Sequence, residues 1–274
     1  MRWIMEKANG NSKPVIVVTG GGEGIGRAIL LYFAQRGYDV AVLEKNPETL
    51  KQTAEDCRAL GVDALECVCN VTSRKDVEKA YDEIAKHYGR VDVQVNNAGI
   101  FIRERIEDFT DEVTDALIDV NIKGVLYTTQ AAIKIMKHQG SGSIINAHSL
   151  LGVFPDFGLG VYSATKSAVA TLTRVLAAEC APYGIRVNAY EPMTTDTAMV
   201  RHVIEERADA KLDQISMRTF GVPEQIAKIC WFLATDMSEY TSGVSIPSNG
   251  GHWAVQRPFK AWEAAGKLKE EKER

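Results

Sequence analysis

Short hydrophobic runs alternate with longer amphipathic segments along most of this chain. Runs rich in β-branched residues and closed by polar residues or glycine are typical of buried strands. They predict six strands, at PVIVVTG (14–20), YDVAVLEKN (38–46), ALECVCNV (64–71), VDVQVNNAG (91–99), SIINAHS (143–149) and IRVNAY (185–190).

The segments between these runs have helical periodicity and cap signals. Helices are predicted at about 25–36, at 47–60, at 73–89, at a long segment that ends near Gly140, and at 162–183. Strands that alternate with helices of this length favour right-handed crossovers. The sequence therefore predicts an α/β fold with a doubly wound parallel sheet, the three-layer α/β/α Rossmann fold.

The alternation extends over residues 14–251, which we expect to form a single Rossmann-type catalytic domain. Residues 1–13 are predicted to be a flexible N-terminal lead, and residues 252–274 a C-terminal extension. Residues 194–217 are polar and only loosely helical, so we expect them to be a substrate loop that closes over the ligand.

The amino-acid composition restricts the kinds of molecule that the protein is expected to bind. With 45% hydrophobic residues, 25% charged residues and a net charge of −4 without a basic stripe, the chain is typical of a soluble globular protein and not of a nucleic-acid binder. No apolar run is long enough for a signal peptide or a membrane span, so no membrane partner is expected.

The five cysteines are odd in number, and the close pair Cys67 and Cys69 has no histidine nearby in the sequence. We therefore expect reduced thiols in a cytoplasmic protein, and no metal site.

The stretch TGGGEGIG (19–26) lies between the first strand and the first helix, where backbone amides can meet a pyrophosphate. Glu44, at the end of the second strand, can accept hydrogen bonds from a ribose diol and would repel the 2′-phosphate of NADP. Glu23 adds a second negative charge, whereas Lys45 argues the other way. These charges predict NAD as the cofactor and disfavour NADP.

The stretch YSATK (162–166) sets a phenol and an ammonium four residues apart, as neighbours on one helical face. A general acid/base tyrosine needs a pKa below its usual value near 10. Lys166 and a positively charged nicotinamide ring would both lower the pKa of Tyr162. Ser149 is predicted to end the fifth strand, where its hydroxyl could hold a substrate oxygen.

Together these motifs resemble those of the short-chain dehydrogenase/reductase family, in the branch called classical, from Val15 to about Gly251. The motifs that carry the resemblance are TGxxxGIG (19–26), NNAG (96–99), Asn121, Ser149, YxxxK (162–166), Pro192 with Thr197, and PEQIAKICWFLATD (223–236). Their order and spacing make the match specific.

The resemblance implies a catalytic set of Asn121, Ser149, Tyr162 and Lys166. Tyr162 would be the acid/base, Ser149 would orient the substrate oxygen, Lys166 would lower the tyrosine pKa and bind the nicotinamide ribose, and Asn121 would bend its helix and hold a water. The implied cofactor contacts, including those of the turn and of Glu44, are Gly20, Gly22, Glu23, Gly24, Ile25, Gly26, Glu44, Asn70, Val71, Asn97, Ala98, Gly99, Tyr162, Lys166, Pro192, Thr195 and Thr197. The resemblance also implies a homotetramer that pairs helices near 112–138 and 162–183.

Four positions depart from the family pattern. Asn70 replaces an aspartate beside the adenine, Met193 replaces a glycine near the nicotinamide, and SNGG (248–251) replaces VDGG. His148 stands where a small serine is common, and strand alternation predicts that it faces away from Ser149 as a packed histidine.

Leu151, Phe154, Met193 and Met199 are predicted to line the substrate pocket, and Arg103 could contact an anionic substrate or pair with a neighbouring glutamate. We expect an NAD-dependent oxidoreductase that transfers a hydride between nicotinamide and a secondary alcohol or ketone, with a polyol or sugar alcohol as the small-molecule substrate. The alternative is an NADPH-dependent 3-ketoacyl-type or hydroxysteroid reductase on the same fold. A non-catalytic nucleotide-binding protein is a more distant alternative, because it would not need the four catalytic residues together.

Overall fold

Seven parallel strands form one sheet in the computed structural model, which describes residues 13–267. Their order across the sheet is β3-β2-β1-β4-β5-β6-β7. The strands are β1 (Val15–Thr19), β2 (Asp39–Glu44), β3 (Ala64–Val68), β4 (Val93–Asn96), β5 (Gly142–Ala147), β6 (Ile185–Pro192) and β7 (Ser245–Ser248).

Helices cover both faces of this sheet. Within residues 13–267 they are α1 (Gly24–Ala34), α2 (Pro47–Ala59), α3 (Arg74–Tyr88), α4 (Asp111–Ile118), α5 (Val125–Gln139), α6 (Gly160–Cys180), α7 (Arg201–Leu212), α8 (Pro223–Ala234) and α9 (Phe259–Ala264). A π-helical segment, Asp119–Gly124, joins α4 to α5.

Side-chain alternation along the strands builds two cores. On β1, Ile16 and Val18 belong to the core with α1, α2 and α8, whereas Val17 belongs to the core with α3, α5 and α6. Strands buried on both faces have no polar side, which explains their uninterrupted hydrophobic runs. The predicted doubly wound, three-layer Rossmann fold is confirmed.

Strand β1 lies between β2 and β4. The chain adds β2 and β3 on one side of β1, and then crosses over to add β4 and the later strands on its other side. In sheets of this kind, ligands bind outside the carboxyl ends of the strands at this point of reversal. The turn after β1 and the segments after β4, β5 and β6 therefore meet at one crevice.

Four elements differ from the sequence-based expectation. Strand β5 ends at Ala147 and not at Ser149, because the Ser149 hydroxyl accepts a hydrogen bond from the Leu151 amide and begins a short helical turn, Leu150–Gly152. Strand β7 and helix α8 were not among the predicted elements. The predicted substrate loop, 194–217, contains α7.

The C-terminal extension packs against its own chain's substrate loop. The Trp262 indole donates a hydrogen bond to the Ser216 carbonyl (2.9 Å), and the Trp253 amide donates to the Gln214 carbonyl (3.3 Å). Residues 252–267 of the extension are described, whereas the predicted N-terminal lead lies outside the described residues apart from Lys13.

Within residues 13–267, no helix is long and apolar enough to cross a membrane. The same residues contain no group of three or more His, Cys, Asp or Glu side chains arranged to hold a metal ion.

Candidate active site

A cleft of about 470 Å³ lies along the carboxyl ends of the strands. It brings together most of the residues that the sequence singled out. The predicted site residues that line it are Gly20, Glu23, Gly24, Ile25, Glu44, Asn70, Val71, Asn97, Ala98, Gly99, Ser149, Leu151, Tyr162, Lys166, Pro192, Met193, Thr195, Thr197 and Met199.

The glycine-rich turn leaves no room for side chains at its two ends. A Cβ added to Gly26 would lie 2.1 Å from the Gly20 carbonyl oxygen, and Gly20 itself has a φ of +61°. Helix α1 begins at Gly24, so its free amides face the cleft. Gly22 and Gly26 do not line the cleft themselves and instead allow the turn to close. This cradle fits a pyrophosphate, the group expected at such a helix N-terminus.

Glu44 is held in place by backbone amides. Its Oε1 accepts from Lys45 (2.8 Å) and Asn46 (3.1 Å), and its Oε2 accepts from Gly22 (3.3 Å). Three amide donors fix the carboxylate at the end of β2. The negative charge therefore stands at a fixed place beside the glycine-rich turn.

Tyr190 is a cleft residue that the sequence reasoning missed. Its hydroxyl donates to Asn97 Oδ1 (2.8 Å), while Asn97 Nδ2 donates to the carbonyls of Thr19 (3.1 Å) and Gly20 (3.0 Å). Tyr190 is buried and thus ties β6 to the cofactor turn. The available signal was its position at the end of a predicted strand, which alone does not distinguish a core tyrosine from a site tyrosine.

Tyr162, Ser149 and Lys166 meet beside the carboxyl end of β5. The Ser149 hydroxyl lies close enough to the Tyr162 phenol to lower its pKa by hydrogen bonding. Lys166, in the next turn of α6, donates from Nζ to the Ala147 carbonyl (2.9 Å) and lies 5.8 Å from the centre of the Tyr162 ring. The edge of Phe101 packs against the same ring, with 5.0 Å between ring centres.

Burial, and not Lys166, dominates the ionisation of Tyr162 in the protein alone. Burial raises the pKa of Tyr162 to about 12, against the lowering effect of the Ser149 hydrogen bond. Burial also lowers the pKa of Lys166 to about 8. The Lys166 ammonium is bound to a backbone carbonyl, and the phenol of Tyr162 is desolvated. The lowering of the tyrosine pKa by Lys166 together with a bound nicotinamide stays a prediction.

Asn121 lies in the π-helical segment and is buried at the inner end of the site. Its Oδ1 accepts from the Ile100 amide (2.9 Å), and its Nδ2 donates to the Ile100 carbonyl (3.0 Å) and to Thr165 Oγ1 (3.1 Å). A Cβ added to Gly99 would lie 3.3 Å from Asn121 Oδ1 and 3.5 Å from Lys166 Nζ. The two side chains thus converge beside Gly99, although Asn121 does not line the cleft.

Local hydrogen bonds or backbone conformation explain how the structure accommodates two of the departures from the family pattern. Asn70 Oδ1 accepts from both the amide (3.1 Å) and the hydroxyl (3.0 Å) of Thr72, so it stabilises its own turn, as an aspartate there could. Met193 lies on the cleft without a positive φ. The replacement of glycine there adds bulk to the pocket and does not demand a left-handed backbone.

The substrate end of the cleft combines apolar side chains with an ion pair. The apolar side chains that line it are Phe101, Leu151, Leu159, Met193, Met199 and Val200. Arg103 pairs with Asp156 (3.0 Å) and donates to the Phe157 carbonyl, so its partner is not one of the neighbouring glutamates. Burial raises the pKa of Asp156, but Arg103, the Phe157 amide and the charge of Lys211 outweigh it and lower the pKa overall.

Phe154, predicted to line the pocket, is absent from the cleft lining. The short turn at Leu150–Gly152 carries it outwards, where it is half-exposed and packs edge-on against Trp253, with 5.9 Å between ring centres. Phe154 thus contacts the C-terminal extension.

Comparisons with known proteins agree with this geometry. A family model described as short chain dehydrogenase matches residues 14–208. The chain is 36% identical to a 3-oxoacyl-(acyl-carrier-protein) reductase of Thermotoga maritima over 86% of this chain and 96% of the relative. It is 37% identical to a reductase of the same name from Staphylococcus aureus, again over 86% of this chain and 96% of the relative.

Among solved structures, an NAD⁺-bound xylitol dehydrogenase is similar, with a TM-score of 0.84 and 30% identity over 88% of this chain and 99% of that chain. The two reductase relatives match the ketoacyl-type alternative better than the polyol expectation. The family model, the relatives and the fold agree on one point: the chain belongs to the short-chain dehydrogenase/reductase family of oxidoreductases, which bind a nicotinamide cofactor.

Proposed function

We propose that this protein reduces a ketone to a secondary alcohol, and catalyses the reverse oxidation, with NAD(H) as the cofactor. The observation that carries the proposal is the meeting of Tyr162, Ser149 and Lys166 at the inner end of a cleft whose other end holds Glu44. A non-catalytic nucleotide binder would not need the first three together with Asn121.

The cofactor preference rests on Glu44. Its carboxylate is fixed by three backbone amides at the end of β2, where it can accept from an adenosine ribose diol. A 2′-phosphate brought to the same place would meet a like charge, which costs binding energy. Lys45 lines the cleft next to Glu44 and is the residue that would favour NADPH.

When bound, the nicotinamide supplies the hydride in reduction and accepts it in oxidation. Around it, Tyr162 and Ser149 are placed to hold the substrate oxygen between their hydroxyls. Because burial raises the pKa of Tyr162 to about 12, the phenol is protonated at neutral pH and is ready to give its proton to a forming alkoxide.

Lys166 and Asn121 complete the proton path. Their polar atoms converge beside Gly99, behind the Tyr162 ring. We propose that Lys166 holds the nicotinamide ribose and that Asn121, in its π-helical segment, holds a water that returns a proton towards Tyr162. Neither residue contacts the substrate carbon in this account.

The substrate proposed here is a ketone with an apolar flank, of the 3-oxoacyl type. Phe101, Leu151, Leu159 and Met199 surround the space next to the catalytic hydroxyls, and apolar walls favour an alkyl chain over a row of hydroxyl groups. A polyol substrate is the second candidate, supported by the similarity to the NAD⁺-bound xylitol dehydrogenase.

The test is a set of initial rates with NADH and three substrate classes, namely a 3-oxoacyl thioester, an oxosteroid and a ketose, together with xylitol and NAD⁺. The proposal expects the thioester to be reduced with the highest kcat/KM. Faster turnover of xylitol or the ketose would establish the polyol candidate instead. Binding of NADH without turnover of any compound would support the non-catalytic alternative.

We also propose a cytoplasmic homotetramer. All five cysteines are free and buried, as expected for a reducing compartment. Helix α6 exposes about half of Val175, which gives it an apolar surface that a second copy could cover. Light scattering during size-exclusion chromatography would test the tetramer, and a monomeric mass would overturn it.

A further inference from the structure

A histidine and a glutamate form a buried pair directly behind the reaction centre. His148 Nδ1 lies 3.1 Å from Glu191 Oε2, and the two residues are only 3% and 7% exposed. His148 immediately precedes Ser149, and Glu191 immediately precedes Pro192, both of which line the cleft. The pair therefore stands one residue away from two site residues, one just after β5 and the other at the end of β6.

The sheet register explains why these residues meet. Strands β5 and β6 are parallel neighbours, and the last register pair is Ala147 opposite Tyr190. His148 and Glu191 are the next residues after this pair, so they lie side by side on the two neighbouring segments. The His148 amide also donates to the Tyr190 carbonyl (3.0 Å). The side-chain contact extends the attachment of β5 to β6 beyond the end of the strand ladder.

The protonation pattern follows from the chemistry of the two groups. An ionised carboxylate can only accept hydrogen bonds, so an ionised Glu191 requires a proton on His148 Nδ1. Within the described residues, His148 is the side chain that hydrogen-bonds Glu191. A buried carboxylate without a partner is costly in free energy. Removal of His148 alone leaves Glu191 in that state, so it is expected to be more damaging than removal of Glu191 alone.

The other side of the imidazole faces the catalytic helix. A Cβ added to Gly152 would lie 2.5 Å from His148 Nε2 and 3.0 Å from the carbonyl carbon of Lys166. His148 Nε2 is buried and has no hydrogen-bond partner among residues 13–267. The ring therefore fills the space between the turn after Ser149 and the backbone of α6 at Lys166, with its nitrogens directed at Glu191 and Gly152.

We infer that His148 and Glu191 are a positioning pair that holds the Ser149 turn and α6 at Lys166 in register with the end of β6, which presents Pro192 and Met193 to the cleft. This inference rests on the proposed function. The Ser149 and Tyr162 hydroxyls hold the substrate oxygen. The pair keeps these hydroxyls at a fixed distance from the part of the cleft that binds the nicotinamide. It acts through Ser149, Lys166 and Pro192, and not by contact with the reacting atoms.

The test uses three variants, H148S, E191A and the double variant H148S/E191A, with the conservative H148N, whose amide can replace the Nδ1 donor. Each is measured for kcat, KM, NADH affinity, the emission of bound NADH, and the isotope effect with NADH deuterated at the transferred position. The matched control is Y81F, at a residue of α3 that does not line the cleft. It removes another buried hydrogen bond, that of the Tyr81 hydroxyl to Gln94.

We expect H148S to lower kcat by about 10- to 100-fold, the cost of a small misplacement of reacting groups. KM and NADH affinity should change by less than about threefold, while the isotope effect and the emission of bound NADH change. The double variant should be less impaired than the product of the two single losses, because no buried carboxylate is then left without its hydrogen-bond partner. H148N should recover most of the lost kcat.

A strictly multiplicative double variant, or a kcat for H148S no lower than that of Y81F, would overturn the inference. Where H148S does not fold, H148N and E191A against the same control decide the question through kcat and NADH emission. Failure of the proposed function would look different, since the wild-type protein itself would then turn over none of the ketones or alcohols, and NADH emission would still report on the pair.

Discussion

The two ends of the cleft are built in different ways. The cofactor end is made by segments that directly follow buried strands, and its contacts are mainly hydrogen bonds to backbone, as with Glu44 and Asn97. The substrate end is lined by the short turn after Ser149 and by the segment that leads into α7, with residues such as Leu151, Met199 and Val200. The C-terminal extension does not line the cleft and packs outside it, where Trp253 contacts Phe154. The cofactor end is thus fixed by the sheet, whereas the substrate end depends on contacts between distant parts of the chain.

This difference has a functional consequence. A site held by backbone geometry tolerates few changes, because a Cβ at Gly26 already collides with the Gly20 carbonyl. A site held by side chains of a loop and a tail can change its walls without disturbing the sheet. Cofactor chemistry and substrate choice can therefore vary separately in this fold, and the predictions below test that separation.

The largest effect is expected for Y162F at the boundary between the two ends. Loss of the phenolic proton should lower kcat by about 100- to 10,000-fold, the range for a general acid. NADH affinity should stay within about twofold, because the ring remains packed against Phe101. Steady-state rates and a fluorescence titration measure both quantities. A loss of only severalfold in kcat would remove Tyr162 from its assigned role.

The next effect is the pH dependence of the two directions. Because burial raises the pKa of Tyr162 to about 12, the phenolate needed for oxidation is scarce at neutral pH. Below that pKa its fraction rises about tenfold per pH unit, so kcat/KM for alcohol oxidation should rise about 100-fold from about pH 7 to about pH 9. Ketone reduction, which uses the phenol, should not rise with pH.

A second feature of the profiles comes from Lys166, whose pKa burial lowers to about 8. Above that pH the ammonium is lost, so reduction should decline as the ribose loses its cationic partner. An oxidation rate that is flat over the whole range would mean that Tyr162 is already ionised in the complex, and would contradict the dominance of burial.

Removal of the Glu44 carboxylate should act on the cofactor end alone. E44A is expected to lower kcat/KM for NADH by about tenfold, the value of a charged hydrogen bond, and to raise it for NADPH. The control is E48A, which removes an exposed acid from the first turn of α2 and should change either value by less than about twofold. An unchanged ratio in E44A would shift the cofactor choice to Lys45.

The smallest effect is expected at the C-terminal extension. W262A removes both the packing of the indole and its hydrogen bond to the Ser216 carbonyl, so the substrate loop should loosen. We expect the substrate KM to rise about three- to tenfold with NADH affinity unchanged. W262F keeps the ring and loses only the N–H donor, so it separates packing from hydrogen bonding. An equal loss of NADH affinity in W262A would show that the two ends are coupled.

Prediction from the sequence succeeded where local pattern decides the structure. Continuous runs such as VIVVT, a glycine-rich turn and an acidic residue at a strand end each imply their own backbone environment. The fold and the place of the cofactor cleft followed from these signals. The tyrosine and lysine of YSATK likewise had to share one face of α6.

The sequence could not predict features that depend on burial or on contacts between distant residues. Ser149 was assigned to a strand because a capping hydroxyl and a strand-end hydroxyl have the same sequence signal. The raised pKa of Tyr162 in the protein alone could not be predicted, because desolvation depends on what covers the ring, including Phe101. The contact of Phe154 with Trp253 joins two distant segments of the chain. The local sequence pattern of neither segment indicates that they meet.

The most direct test of the central claim is the kcat/KM of the wild-type protein for one 3-oxoacyl thioester with NADH and with NADPH, measured side by side. The account predicts rapid reduction with NADH and at least about tenfold slower reduction with NADPH, the value of one charged contact. Preference for NADPH would contradict the role of Glu44, and absence of NADH oxidation with this substrate would contradict the proposed ketone reductase.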